Sequence, residues 1–198
     1  ILRKTFDVLT SSEMDAMKVE GEPESVKERY GDNSFGKGCL MARRLVEVGV
    51  PFIEVGLNGW DNHQNIFPTL KDTKLPMLDQ GMSALVEDLE QRGLLDDTAI
   101  IWMGEFSRTP SINQNAGRDH WARSWSVAVG GAGMNGGIAV GSTNEDGTKV
   151  ETETHSSEDV MVSVCKALGI SLQTTYTSNA GRPMKIANSG KVISELFS

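Results

Sequence analysis

The chain is short of cysteine, histidine and basic charge, and each shortage narrows what the protein can be. Its 198 residues include two cysteines, Cys39 and Cys165. They lie far apart in apolar, helix-like segments, so they read as small core residues rather than as disulfide halves or metal ligands. Lys and Arg number 19 against 27 Asp and Glu, and the net charge of −8 disfavours a nucleic-acid or membrane-surface partner. The chain has no apolar run of the roughly 18 residues that a spanning helix needs, and no signal peptide opens it. It also has no G-x-S-x-G elbow, P-loop or C-x-x-C pair, so no standard nucleophile or phosphate-binding motif is present. Internal repeats and low-complexity blocks are likewise missing. The length suits one domain with a real core. A first residue of Ile1, inside an apparent helix, is expected of a piece of a longer protein.

What is present alternates in type. Leu2, Phe6, Leu9, Met14 and Met17 have helical spacing over Leu2–Val19, and Gly21-Glu22-Pro23 breaks it. A second helix is predicted over Phe35–Val48, with Cys39, Leu40, Leu45 and Val48 on one side and Arg43, Arg44 and Glu47 toward the other, stopped by Gly49. Val50–Leu57 is short, apolar and β-branched and reads as a strand. A long helix follows from Phe67 to Arg92, with Leu70, Leu78, Met82, Leu85 and Leu89 on its apolar side. Thr98–Met103 reads as a second strand covered on both faces, and Trp125–Val129 as a third. Gly136-Gly137 and Asn144–Gly147 mark a tight loop or hairpin. Ser156-Ser157-Glu158-Asp159 signals a helix start, and the tail from Gly181 to Phe197 reads as surface strand and loop. Strand, helix, strand predicts a right-handed βαβ crossover and an α/β fold: a three-layer sandwich around a mainly parallel sheet.

Two of the three histidines stand in short polar clusters, Trp60-Asp61-Asn62-His63 and Gly117-Arg118-Asp119-His120-Trp121. In extended backbone Asp61 and His63 leave on one face, close enough to share a cation or a proton. The alternative is an Asp that caps the next helix beside a His that bonds loop backbone. Glu105, after an apolar strand, needs a charge partner or a polar network, which an ion pair with Arg108 would also supply. Asp119 either orients His120 as a ligand or holds the loop. Arg108 and Arg118 either grip an anion in bidentate fashion or neutralise nearby carboxylates. Ser107 is the best-placed hydroxyl, with loop hydrogen bonding as its simpler role. His155, among Glu151 and Glu153, reads as a solvated residue.

The runs Gly104-Glu105-Phe106-Ser107-Arg108-Thr109-Pro110 and Asn115-Ala116-Gly117-Arg118-Asp119-His120-Trp121, with Gly59-Trp60-Asp61-Asn62-His63 upstream, resemble an uncharacterised bacterial sulfatase-like family, a domain of unknown function in the alkaline phosphatase superfamily. Arg29-Tyr30-Gly31, Ala42–Glu47 and Gly181-Arg182-Pro183 extend the resemblance over most of the chain. It implies an alkaline phosphatase-like sandwich of which residues 1–198 are the C-terminal portion. It also implies a metal-dependent hydrolase of phosphate or sulfate esters acting on a small-molecule or glycan ester, with export from the cytoplasm. Asp61, His63, Glu105 and His120 fall in the order of that superfamily's metal ligands. Arg108 and Arg118 would take the catalytic task of holding the anion, and the nucleophile would lie upstream. The cofactor implied is a divalent ion, with zinc or manganese favoured by the mixed imidazole and carboxylate donors and calcium or magnesium also compatible. Glu105-Phe106 departs from the Asp-His or Asp-Asn common at that point. The rival expectations are a non-catalytic metal-stabilised binding domain and a metal-free structural domain in which Trp60, Trp121 and Trp125 pack a loop layer.

Overall fold

The computed structural model describes residues 12–197. They fall into two compact units: the chain up to Leu94 together with Ile112–Arg118, and Leu95–Ser111 together with the chain from Asp119 onward.

The first unit is helical, with α1 (Ser12–Ala16), α2 (Glu24–Tyr30), α3 (Ser34–Glu47), α4 (Ile66–Thr69) and α5 (Leu75–Gln91). Of the helix predicted over Leu2–Val19, the part before Ser12 lies outside the described residues. α3 starts where Asn33, in extended backbone, accepts the Gly36 N–H on its side chain at 2.9 Å. It ends before Gly49, whose φ of +83° is the left-handed stop that the sequence implied. Phe35, Cys39, Leu40, Ala42 and Leu45 are buried on α3 at three- and four-residue spacing. They pack chiefly on α5, which buries Gly81, Ala84, Leu85 and Leu89. A Cβ on Gly81 would stand 2.8 Å from the Phe35 ring, so the missing side chain is what lets the ring lie against α5.

The long helix predicted over Phe67–Arg92 exists but is not uniform. A π turn over Leu70–Lys74 joins α4 to α5, closed by the Leu75 N–H donating to the Leu70 carbonyl. Pro76, in the first turn of α5, has no N–H, and in a regular helix its ring would press on the carbonyl four residues back. The wider turn just before it takes up that crowding.

A charged network occupies the core of this unit. Arg43 is 2% exposed, although its neighbours in sequence placed it toward the outer side of α3. Its guanidinium reaches Glu22 at 2.8 Å, Glu47 at 2.7 Å and Asp88 at 3.0 Å. Nε and Nη2 make their contacts off the line of an ideal hydrogen bond, so they count as ion pairs. Tyr30 donates its hydroxyl to Asp88 at 3.0 Å, and Arg92 bonds Asp88 at 2.8 Å and Glu47 at 2.6 Å. Burial opposes ionisation of Glu22 and Asp88, but the guanidinium contacts of Arg43 and Arg44 with Glu22, and the hydrogen bonds from Arg92 and Tyr30 to Asp88, outweigh it and hold both carboxyls below their ordinary range. Burial and the neighbouring Asp88 charge push the Tyr30 hydroxyl up.

The second unit contains β1 (Ile100–Trp102), β2 (Ser107–Arg108), β3 (His120–Trp121), β4 (Ala128–Gly130), α6 (Ser157–Ala167), β5 (Thr175–Thr177) and β6 (Pro183–Lys185). β1 pairs with β4, β2 with β3 and β5 with β6, every pair antiparallel and two-stranded. α6 opens on the signalled capping box, Ser156 accepting from the Asp159 N–H while the Asp159 carboxylate accepts from the Ser156 N–H. The tail is a surface ribbon only as far as β6. Ile193 and Leu196 turn back to form a core with Met134, flanked by Val129, Val140, Val160 and Phe197.

The mainly parallel three-layer sandwich, and with it the alkaline phosphatase-like architecture, is overturned by these pairings. Two of the three expected strands form, Thr98–Met103 shortened to β1 and Trp125–Val129 shifted to β4, but they pair with each other antiparallel. The stretch 52–60 has no ladder partner and no regular secondary structure, and Phe52 is 81% exposed. A short apolar run fits a strand only if another strand meets it, and Pro51 removes one of its ladder donors. With that strand gone the βαβ crossover goes too. No described helix is long and apolar enough to cross a membrane.

Candidate metal centre

Asp61 and His63 lie on a loop braced by its own backbone. The Trp60 indole donates to the Leu57 carbonyl at 2.6 Å, the Asn62 N–H to the Trp60 carbonyl at 2.9 Å, and the Asn62 side chain to the Gly59 carbonyl at 3.1 Å. The two-residue spacing does what it predicted: His63 Nε2 stands 3.0 Å from Asp61 Oδ1, with the side chains 46% and 64% exposed. An exposed pair of this kind adds little to stability by itself and remains accessible to an ion.

The segment Asn113–Arg118 fixes the backbone that carries His63. Asn65 and Ile66 donate to the carbonyls of Asn115 and Ala116 at 3.1 and 3.0 Å, and the Arg118 N–H donates to the Asn62 carbonyl at 3.0 Å. Asn113 Nδ2 donates to the His63 carbonyl at 3.0 Å. Gly117 is the closest point of this contact, since a Cβ there would stand 2.0 Å from the His63 carbonyl carbon. Only glycine fits.

His120 is on β3, opposite Arg108 of β2. The Phe106 ring lies against its imidazole, centroids 4.6 Å apart and planes at 47°, and the Arg108 guanidinium lies 5.6 Å from the Phe106 centroid. Asp119 ties this corner through its backbone, accepting from the Thr109 N–H at 2.8 Å and donating to Thr109 Oγ1 at 3.1 Å.

In the first unit Asp61 and His63 present a carboxylate oxygen and an imidazole nitrogen side by side, donors that could take part in holding a metal ion. The His120 imidazole belongs to the second unit. A carboxylate oxygen beside an imidazole nitrogen is a donor pair that zinc and several other divalent ions accept, with positions left for further ligands, water or substrate. Nothing in the pair selects one metal. Glu105 stands exposed past the end of β1, where water solvates it. Arg108 and Arg118 are half-buried, Ser107 faces Trp121 across the β2–β3 pair, and His155 is half-buried rather than fully solvated. Asn113 and Phe106 were missed from sequence. Asn113 had a readable signal in the Asn-x-Asn-x-Gly spacing of a side-chain-closed turn, whereas Phe106 had none.

The residues that carry this arrangement belong to a chain with a candidate metal centre of mixed carboxylate and imidazole donors. Residues 1–197 match the family described as protein of unknown function (DUF1501), and the chain belongs to it. No match was found among curated proteins or among solved structures.

Proposed function

We propose that Asp61, His63 and His120 bind a divalent metal ion, and that the protein uses it to hydrolyse phosphate or sulfate esters. The first step is carried by one observation, Asp61 and His63 side by side on an accessible loop of the first unit, and His120 follows them in the order of the motifs. The second is supported by the sulfatase-like motifs around Asp61, Glu105 and His120 and by two guanidinium groups on the same loops. A bound divalent ion supplies Lewis-acid polarisation of the ester and a lowered pKa for bound water. Arg108 and Arg118 would hold the anionic group, being suited to bidentate contact with phosphate or sulfate oxygens. No nucleophile is assigned among these residues.

The test is the metal content of the purified chain by elemental mass spectrometry, before and after dialysis against zinc, manganese, calcium and magnesium. Asp61→Ala and the double variant His63→Ala/His120→Ala are measured alongside it. Near-stoichiometric metal that is lost in both variants supports the centre, and unchanged stoichiometry in both sinks it. Release of 4-nitrophenol from its phosphate or sulfate ester, abolished by chelator and weakened in Arg108→Ala, supports hydrolysis. The 3.0 Å contact between Asp61 and His63 favours a second reading, a metal-free polar cluster. Under it neither chelator nor added metal shifts the thermal midpoint.

A further inference from the structure

The backbone of a ligand residue needs a fixed position as much as its side chain needs a metal, and one residue does most of the fixing at His63. Asn113 uses three of its hydrogen-bonding sites in one turn. Its Nδ2 donates to the His63 carbonyl at 3.0 Å, and its Oδ1 accepts from the Asn115 and Gly117 N–H groups at 2.9 and 3.0 Å. Its own N–H donates to the Gly117 carbonyl at 2.9 Å. The acceptor side folds the turn, and the donor side fastens the turn to the residue that follows Asp61 and Asn62.

We propose that Asn113 is a positioning residue of the metal centre, setting His63 through its carbonyl. This rests on the metal-binding reading above. A ligand held through its backbone by a second residue keeps its angle to the ion, and loss of the outer partners that orient metal ligands weakens binding by about 10–100-fold. Gly117 supports the same assignment. Its N–H is bonded to Asn113, and its Cα lies so close to the His63 carbonyl that no other residue could take its place.

Asn113→Asp separates the two sides of the residue. It keeps the oxygen that accepts from Asn115 and Gly117 but turns an acceptor toward the His63 carbonyl, so the turn survives and the fastening is lost. Its added negative charge would, if anything, attract a cation, so weaker binding in this variant has to come from position. The experiment titrates Co²⁺ and Zn²⁺ into the full chain, wild type, Asn113→Asp, Asn113→Ala and Asp61→Ala. It reads affinity by calorimetry and ligand geometry by the visible absorption of cobalt, with the metal-free thermal midpoint measured on each.

The expected result is a loss of affinity of about 10–100-fold in Asn113→Asp with a changed cobalt spectrum and a midpoint near the wild type's. If Asn113→Asp and Asn113→Ala bind cobalt with wild-type affinity and spectrum while Asp61→Ala does not bind it, Asn113 has no positioning role and the metal centre stands. If the wild type binds neither ion, both readings fall. Should Asn113→Ala unfold, Asn113→Asp alone decides.

Discussion

The Arg43 guanidinium lies 3.0 Å from the Asp88 carboxylate, with the two side chains 2% and 6% exposed, and joins α3 to α5 across 45 positions of sequence. Two charges so far out of water are tolerable only together, because each would otherwise carry a desolvation penalty of several kcal/mol. Here Glu22, Glu47, Tyr30 and Arg92 complete the set. Arg43→Met should therefore destabilise the first unit by about 3–5 kcal/mol, the range for breaking a buried pair on one side. Asp88→Asn should be comparably harmful. The double variant Arg43→Met/Asp88→Asn should lose less than the sum, since residues in one network do not add. Urea midpoints of the three variants check this, and additive losses would show that the charges act independently.

The same network fixes a direction for the effect of acid. Glu22 and Asp88 have folded pKa values below their ordinary 4.5 and 3.8. The folded chain therefore binds fewer protons than the unfolded one while the pH lies between the two values. The stability they add is fully present above the ordinary carboxylate range and is lost as the pH falls through the lowered folded values. Urea midpoints should hold steady from pH 7 to about pH 5 and fall below it. In Glu22→Gln the midpoint should start lower and fall less between pH 5 and pH 3. A variant that falls as steeply as the wild type would place the acid response elsewhere.

The two cysteines should differ sharply in reactivity. Both are free. Cys39 is 1% exposed, and burial pushes its thiol up to about 12, so neither access nor thiolate is available near neutral pH. Cys165 is half-buried. Titration of the native chain with a thiol reagent at pH 8 should modify Cys165 and leave Cys39 until denaturant is added. Equal rates, or a Cys165→Ser variant that still reacts promptly, would contradict the packing of α3 on α5.

Helix ends were the most legible part of the chain, because caps are written locally: Gly49 after α3 and the Ser156 and Asp159 pair before α6 stand where the sequence signals them. Strand pairing was not, because whether Val50–Leu57 or Thr98–Met103 finds a partner is decided by residues far away. The same limit hid Arg43, whose apolar neighbours say which face is inside but not that Glu22 and Asp88 wait there. At the candidate centre the proximity of Asp61 and His63 follows from their two-residue spacing. The turn that Asn113 folds is legible in its Asn-x-Asn-x-Gly spacing, whereas its fastening to the His63 carbonyl, 50 positions away, is not.

A buried hydroxyl in the second unit offers a local test of how the tail is held. Ser163 is fully buried, donates to the Asp159 carbonyl at 2.7 Å and accepts the Ile193 N–H at 2.9 Å. Next to it the Lys191 N–H donates to the Asp159 carboxylate at 2.6 Å. Both bonds run from α6 to the segment that brings Ile193 and Leu196 into the core. Ser163→Ala leaves the Ile193 N–H buried without its acceptor, which costs about 1–3 kcal/mol, more than truncating an exposed serine such as Ser157. The loss should be concentrated in the tail, so the Ile193 amide should exchange with solvent faster in Ser163→Ala by a factor much larger than amides in the middle of α6. Equal acceleration at both would mean that the tail and α6 open as one unit, and that the Ser163 hydroxyl stabilises the whole unit rather than fastening its end.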